Sequence, residues 1–293
     1  MPLSPLIDPE AIQRAELLGI QARQIVEGYM AGGHRSPFRG FAIEFAQHRE
    51  YVQGDDLRHL DWKVLGRSDR YYIKQYEQET NFVAHLLVDA SESMKYASKD
   101  RSKLDYARTA AACLAYLILL QRDAVAVGLF DSTLREYLPR TDNLGRITAI
   151  CAALTAVAPT EKTSISTVLA DLARKVRRRG IVILLSDLLD DEEAILRGLN
   201  QLRFAGHEVI VFHILDPYEV EFPFRSSVEF RGLEAQGRVR TRPVEIRNSY
   251  LAEFRAYLER IRVGCERQGC PYLMIRTDQA WADVLSAWLA TRR

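Results

Sequence analysis

At 293 residues, with 47% apolar and 27% charged side chains, the chain can bury a large core and has the balance of a folded globular protein, which excludes disorder for most of it. Forty Lys and Arg against 39 Asp and Glu leave a formal net charge of +1, so no overall field draws the protein to nucleic acid or to an anionic membrane. The N-terminal MPLSPLIDPEAIQR lacks a basic stretch followed by an apolar core, and the longest apolar run, AAACLAYLILL at 110–120, falls short of the roughly 18–20 residues of a membrane span. The expectation is a cytoplasmic protein without direct membrane insertion and with no nucleic-acid partner. Its four cysteines, Cys113, Cys151, Cys265 and Cys270, form no C-x-x-C pair and read as reduced thiols.

Asp8 as N-cap and Pro9 at the first helical position open an amphipathic helix carrying Ile12, Leu17, Ile20 and Ile25. From Gly32 the texture changes to glycine, aromatic and charged residues, with strand-like GFAIEF and RYYIKQYEQET, so residues 1–80 read as a helix and a small β-containing module. Beyond Asn81, apolar runs alternate with helical segments in the βα order that implies a parallel sheet. Strands are expected over 82–89, 124–131, 180–187, 208–216 and 272–277, and helices over 102–121, 143–157, 164–179, 191–205, 246–268 and 279–290. The basic run Lys175, Arg177, Arg178 and Arg179 reads as the end of a helix before Gly180. Residues 217–245 include SSVEFRGLEAQGRVRTRPVEIR and read as a β insertion with a turn near Gly237. The fold class is therefore α/β, a parallel-centred sheet with flanking helices over 81–293.

Ligands of such sheets bind outside the carboxyl ends of the strands, where Asp89, Asp131, Asp187 and Asp216 stand. Asp89 is followed by Ser91 and Ser93 in DASES, so one tight loop aims a carboxylate and two hydroxyls at one point, to which Thr163 and Asp187 can add further oxygens. An all-oxygen donor set suits Mg²⁺ (or Mn²⁺). The six histidines, His34, His48, His59, His85, His207 and His213, show no metal-ligand spacing, and His85 and His213 read as satisfied core residues of strands. GGHRSPFRG at 32–40 lacks the order of a phosphate-cradling loop.

The order Asp89-x-Ser91-x-Ser93, Thr163, Asp187 resembles the metal-ion-dependent adhesion site of von Willebrand factor A domains. The resemblance implies a Rossmann-like, von Willebrand A-like fold, with those five residues around a metal whose open position takes a carboxylate from a partner protein. The two small residues that commonly precede the threonine are here Glu161 and Lys162. Upstream, Gly54, Asp55, Asp56, Arg58, Asp61 and Trp62 form a G-D-D-x-R-x-x-D-W segment that resembles the bacterial family of unknown function numbered fifty-eight. That family is often encoded beside AAA+ ATPases of the MoxR class, so the resemblance implies a non-enzymatic adaptor working with such an ATPase on client proteins. Read physically, the segment is a brace that joins the small module to the α/β domain, with Trp62 supplying a large apolar face, or a docking surface, or with Asp55 and Asp56 a second metal site. The alternative function is a metal-dependent phosphohydrolase. Its nucleophilic aspartate usually has a second aspartate two residues on as general acid, and Ser91 stands at that position.

Overall fold

The computed structural model describes residues 43–52, 61–68, 70–78, 83–159, 164–176, 179–225, 228–231 and 238–290. The helix expected from Asp8, together with Gly54, Asp55, Asp56, Arg58 and Thr163, lies outside the described residues. Two compact units are present, one within Met30–Asn81 and the other over Phe82–Arg293.

In the smaller unit, β1 (Ile43–Glu50) pairs antiparallel with β2 (Tyr72–Gln78), with a bulge between Phe45 and Gln47. Between them a helix not expected from the sequence, α1 (Trp62–Ser68), begins directly after Asp61. Asp61 is buried, its N–H donates to the Tyr72 carbonyl at 2.8 Å, and its carboxylate accepts from Val64 N–H at 3.3 Å. The aspartate of the D-W pair is thus a helix cap tied to β2.

The larger unit is built on β3 (Val83–Asp89), β4 (Ala124–Phe130), β5 (Leu134–Thr141), β6 (Ile181–Ser186), β7 (Glu208–Leu215) and β10 (Tyr272–Arg276), in the order β10-β7-β6-β3-β4-β5. All neighbours are parallel except β4 and β5. β5, LREYLPRT, went unrecognised because it is a mostly exposed edge strand whose charges and Pro139 interrupt any apolar run. The inner strands are apolar on both faces because both are covered. Ala84, Leu86 and Val88 of β3 enter one layer with Ile181, Ile183 and Leu185 of β6 and Ile210, Phe212 and Ile214 of β7. Leu87, Val182, Leu184, Val209 and Val211 enter the other. The period-2 alternation of side chains splits a continuous apolar run between two cores.

The first layer holds α2 (Lys103–Leu120), α3 (Ile147–Ala156) and α8 (Trp281–Ala290). The second holds α4 (Ile165–Lys175), α5 (Glu192–Phe204) and α7 (Pro243–Arg267). The long apolar run noted at 110–120 lies in α2, which is buried on most sides, and no helix of the described residues is long and apolar enough to cross a membrane. α5 ends in left-handed Gly206 (φ 88°), with His207 N–H on the Leu202 carbonyl and Gly206 N–H on that of Arg203, the two bonds of a Schellman cap. α4 stops at Lys175, four residues earlier than expected, so Arg179 lies beyond the helix. The expected insertion opens with an unforeseen short helix, α6 (Pro217–Glu221), before the antiparallel pair β8 (Val228–Arg231) and β9 (Arg238–Thr241).

Candidate functional site

The connections reverse direction between β3 and β6, which places a crevice at the carboxyl ends of these two neighbouring strands. β3 ends in Asp89, whose Oδ1 accepts the Ser91 N–H at 2.9 Å and turns the chain sharply away from the sheet. Ala90 N–H donates to the Phe130 carbonyl at 2.6 Å, anchoring the turn to β4. The turn runs into a short 3₁₀ segment, Glu92–Lys95, that brings the Ser91 and Ser93 hydroxyls to 3.1 Å from each other. From β6, the Ser186 hydroxyl donates to Asp89 Oδ2 at 2.5 Å and accepts the Leu188 N–H at 2.9 Å. Asp89, Ser91, Ser93, Ser186 and Asp187 are all buried.

Asp187 is held from three sides. Lys103 Nζ donates to its Oδ2 at 2.7 Å, Leu189 N–H to its Oδ1 at 3.3 Å, and His213 Nε2 lies 2.8 Å from its carbonyl. Burial lowers the His213 pKa to about 4, so the ring is neutral, and the carbonyl requires Nε2 to carry the proton. Nδ1 then accepts from the Tyr272 hydroxyl at 2.7 Å. The following residue, Leu188, is buried in the left-handed region at φ 52°, which costs a leucine energy and persists because its neighbours over-determine it. Ser186 holds its N–H, and the Tyr257 hydroxyl donates to its carbonyl.

Lys103, at the first position of α2, is the residue that the sequence reading missed. Its side chain is fully buried, with the ammonium 2.7 Å from Asp187 and 2.6 Å from Glu219 of α6. Burial alone would push the lysine toward its neutral form, but the two carboxylates outweigh it and raise the pKa. A faint signal existed: a lysine in the first turn of a helix opposes the helix dipole and calls for local compensation. Burial raises the Glu219 pKa, against the lowering effect of Lys103. Burial, and then the charge of Asp187, push the Asp89 pKa up to about 7 despite the hydrogen bonds from Ser186 and Ser91.

The other two strand-end aspartates serve structure. Asp131 pairs with Arg135 at 2.6 Å, while Asp216 accepts the Tyr218 and Ser98 N–H groups at 2.8 Å each and forms a capping box with Glu219. Asp190 accepts the Ile165 N–H at 3.0 Å, so the loop after β6 reaches the start of α4, two residues beyond Thr163 in the sequence. His213 is a satisfied core residue as expected, whereas His85 is only half satisfied: Nδ1 lies 3.3 Å from the Tyr137 hydroxyl and buried Nε2 has no hydrogen-bond partner among the described residues. Trp62, at the start of α1, is 66% exposed.

Among the described residues no three His, Cys, Asp or Glu side chains converge as a metal-binding group. The fit to a divalent cation rests instead on two neighbouring carboxylates and two hydroxyls. Asp89 and Asp187 lie near enough that the charge of Asp187 raises the Asp89 pKa, and the paired Ser91 and Ser93 hydroxyls lie in the same loop as Asp89. A buried set of carboxylate and hydroxyl oxygens suits a hard cation such as Mg²⁺.

The chain matches the family described as protein of unknown function DUF58 over residues 47–260. It is 27% identical to an uncharacterized protein of Mycobacterium bovis, across 98% of this chain and 91% of the relative. Among solved structures it is similar to the conserved hypothetical protein BatB of Bacteroides thetaiotaomicron, with a TM-score of 0.48 and 18% identity over 72% of this chain and 98% of that one. The VWA domain of SpRpn10 gives a TM-score of 0.41 and 11% identity over 70% and 94% of the respective chains.

Proposed function

The chain belongs to the DUF58 family and has a von Willebrand A-like fold, and from that premise we propose that it is a non-enzymatic protein-interaction adaptor. The observation that carries this reading is the convergence of Asp89, Ser91 and Ser93 beside Asp187 at the switch point of the sheet. In this reading Asp89, Ser91 and Ser93, with Thr163 and Asp187, would hold Mg²⁺ (or Mn²⁺). When bound, the ion supplies an open coordination position for a carboxylate of a partner protein. The loop residues do the rest: Ser186 orients Asp89, and His213 and Tyr257 hold the backbone around Asp187.

The partner in this proposal is a MoxR-class AAA+ ATPase acting on client proteins in the cytoplasm. Its support is the Gly54-Asp55-Asp56 segment with Arg58, Asp61 and Trp62, which resembles that of the bacterial family encoded beside such ATPases. The exposure of Trp62 adds an apolar surface in the same segment that a partner can cover. The phosphohydrolase reading is weaker, because Ser91 occupies the position of the general acid and its hydroxyl faces Ser93.

Capture of a MoxR-class AAA+ ATPase tests the proposal. Immobilised wild-type protein in Mg²⁺ is expected to retain the ATPase, and chelator or Ser91→Ala to release it while the circular dichroism spectrum stays native. Equal capture in all three conditions would discard the metal bridge.

A further inference from the structure

Lys103 has no role in the adaptor reading, yet it is among the most unusual side chains in the molecule. Its stem is packed with no solvent exposure, and its ammonium is clamped between Asp187 and Glu219 at 2.7 and 2.6 Å. A buried lysine is costly unless paired, so the clamp must form for α2, β6 and α6 to assemble. The Asp187 carboxylate has two oxygens. Oδ2 takes the ammonium, and Oδ1 takes the Leu189 N–H at 3.3 Å. Asp89 accepts from the Ser91 N–H and the Ser186 hydroxyl. The Lys103 ammonium is thus committed to Asp187 and Glu219.

We propose that Lys103 is the resident competitor of the divalent cation, taking the Asp187 carboxylate for itself and leaving the ion the Asp89, Ser91 and Ser93 side. This rests on the metal reading of the site and deepens it. Metal affinity is then set low by an internal charge. Glu219 belongs to the same control because it shares the ammonium and thereby decides how firmly Lys103 lies on Asp187. Glu219 reaches the site from α6, where its other oxygen accepts the Asp216 N–H at 2.8 Å, so movement of this short helix is coupled to the availability of Asp187.

Mn²⁺ titration by electron paramagnetic resonance, with circular dichroism on the same samples, tests this in the wild type, Lys103→Met and the double variant Lys103→Met with Asp187→Asn. Removing a unit positive charge a few ångströms from the ion is expected to tighten Mn²⁺ binding by about tenfold or more. Adding Asp187→Asn should return affinity to about the wild-type level. Lys103→Gln, whose amide can still donate to one carboxylate, repeats the measurement should the methionine variant not fold. A folded Lys103 variant that binds Mn²⁺ no more tightly than the wild type would overturn the competition while leaving the metal site in place. Absence of binding to every protein up to about 10 mM Mn²⁺ would overturn both readings.

Discussion

A single side chain in this protein takes its chemistry from what surrounds it. His85 lies in the middle of β3, where burial first, and then the neighbouring His207, lower its pKa from 6.5 to about 4. The unfolded chain therefore binds a proton on His85 as pH falls through about 6.5, and the folded protein does not until about 4. The stability associated with the neutral ring is fully present above 6.5 and is lost progressively as pH falls to about 4. By pH 5 the loss from this ring is on the order of 2 kcal/mol. Urea unfolding at pH 7 and pH 5 should show wild type losing more stability than His85→Gln by about that amount, and parallel losses would assign the acid sensitivity elsewhere. The placement of His85 and His213 within strands was legible in the sequence. Their depressed pKa values were not, since desolvation depends on everything packed around the ring.

At the level of elements, the long apolar runs were legible because a strand covered on both faces needs no polar alternation, as in IVILLS of β6. β5 and α1 were not, because an exposed edge strand and a seven-residue helix bury too little to impose a pattern. Where strands meet, spacing becomes a strict requirement. Gly180, just before β6, lies so close to β3 that an added Cβ would sit 2.3 Å from the Val83 carbonyl oxygen. That oxygen is backbone and cannot swing aside. Gly180→Ala must therefore part the two strands whose far ends carry Asp89 and Ser186, at a cost of about 1–3 kcal/mol. A lowered urea midpoint is the expected result, together with weaker Mn²⁺ binding as the Ser186 to Asp89 bond is disturbed. An unchanged midpoint would mean that the strands separate freely there.

For the molecule as a whole, the two units divide the work: the larger one carries the carboxylate site, and the smaller one carries the segment containing Asp61 and Trp62. With Trp62 66% exposed, Trp62→Ala should shift stability by no more than about 0.5 kcal/mol while reducing capture of the ATPase. A loss of about 3 kcal/mol with full capture would instead assign the tryptophan a bracing role. By itself, the sequence determined the features that depend on near neighbours. Apolar runs alternating with amphipathic helices dictated a parallel-centred sheet, and the five residues from Asp89 to Ser93 dictated a loop in which one carboxylate turns back on its own backbone. Only the tertiary structure decided which charges meet. Lys103 stands 84 positions from Asp187 and 116 from Glu219, and no local periodicity can specify a pair across such separations. The strand order decides it: β3 and β6 must lie side by side and α2 must pack against them before one buried ammonium can find two carboxylates. Once water is excluded there, the cost of leaving any of the three unpaired makes the arrangement specific.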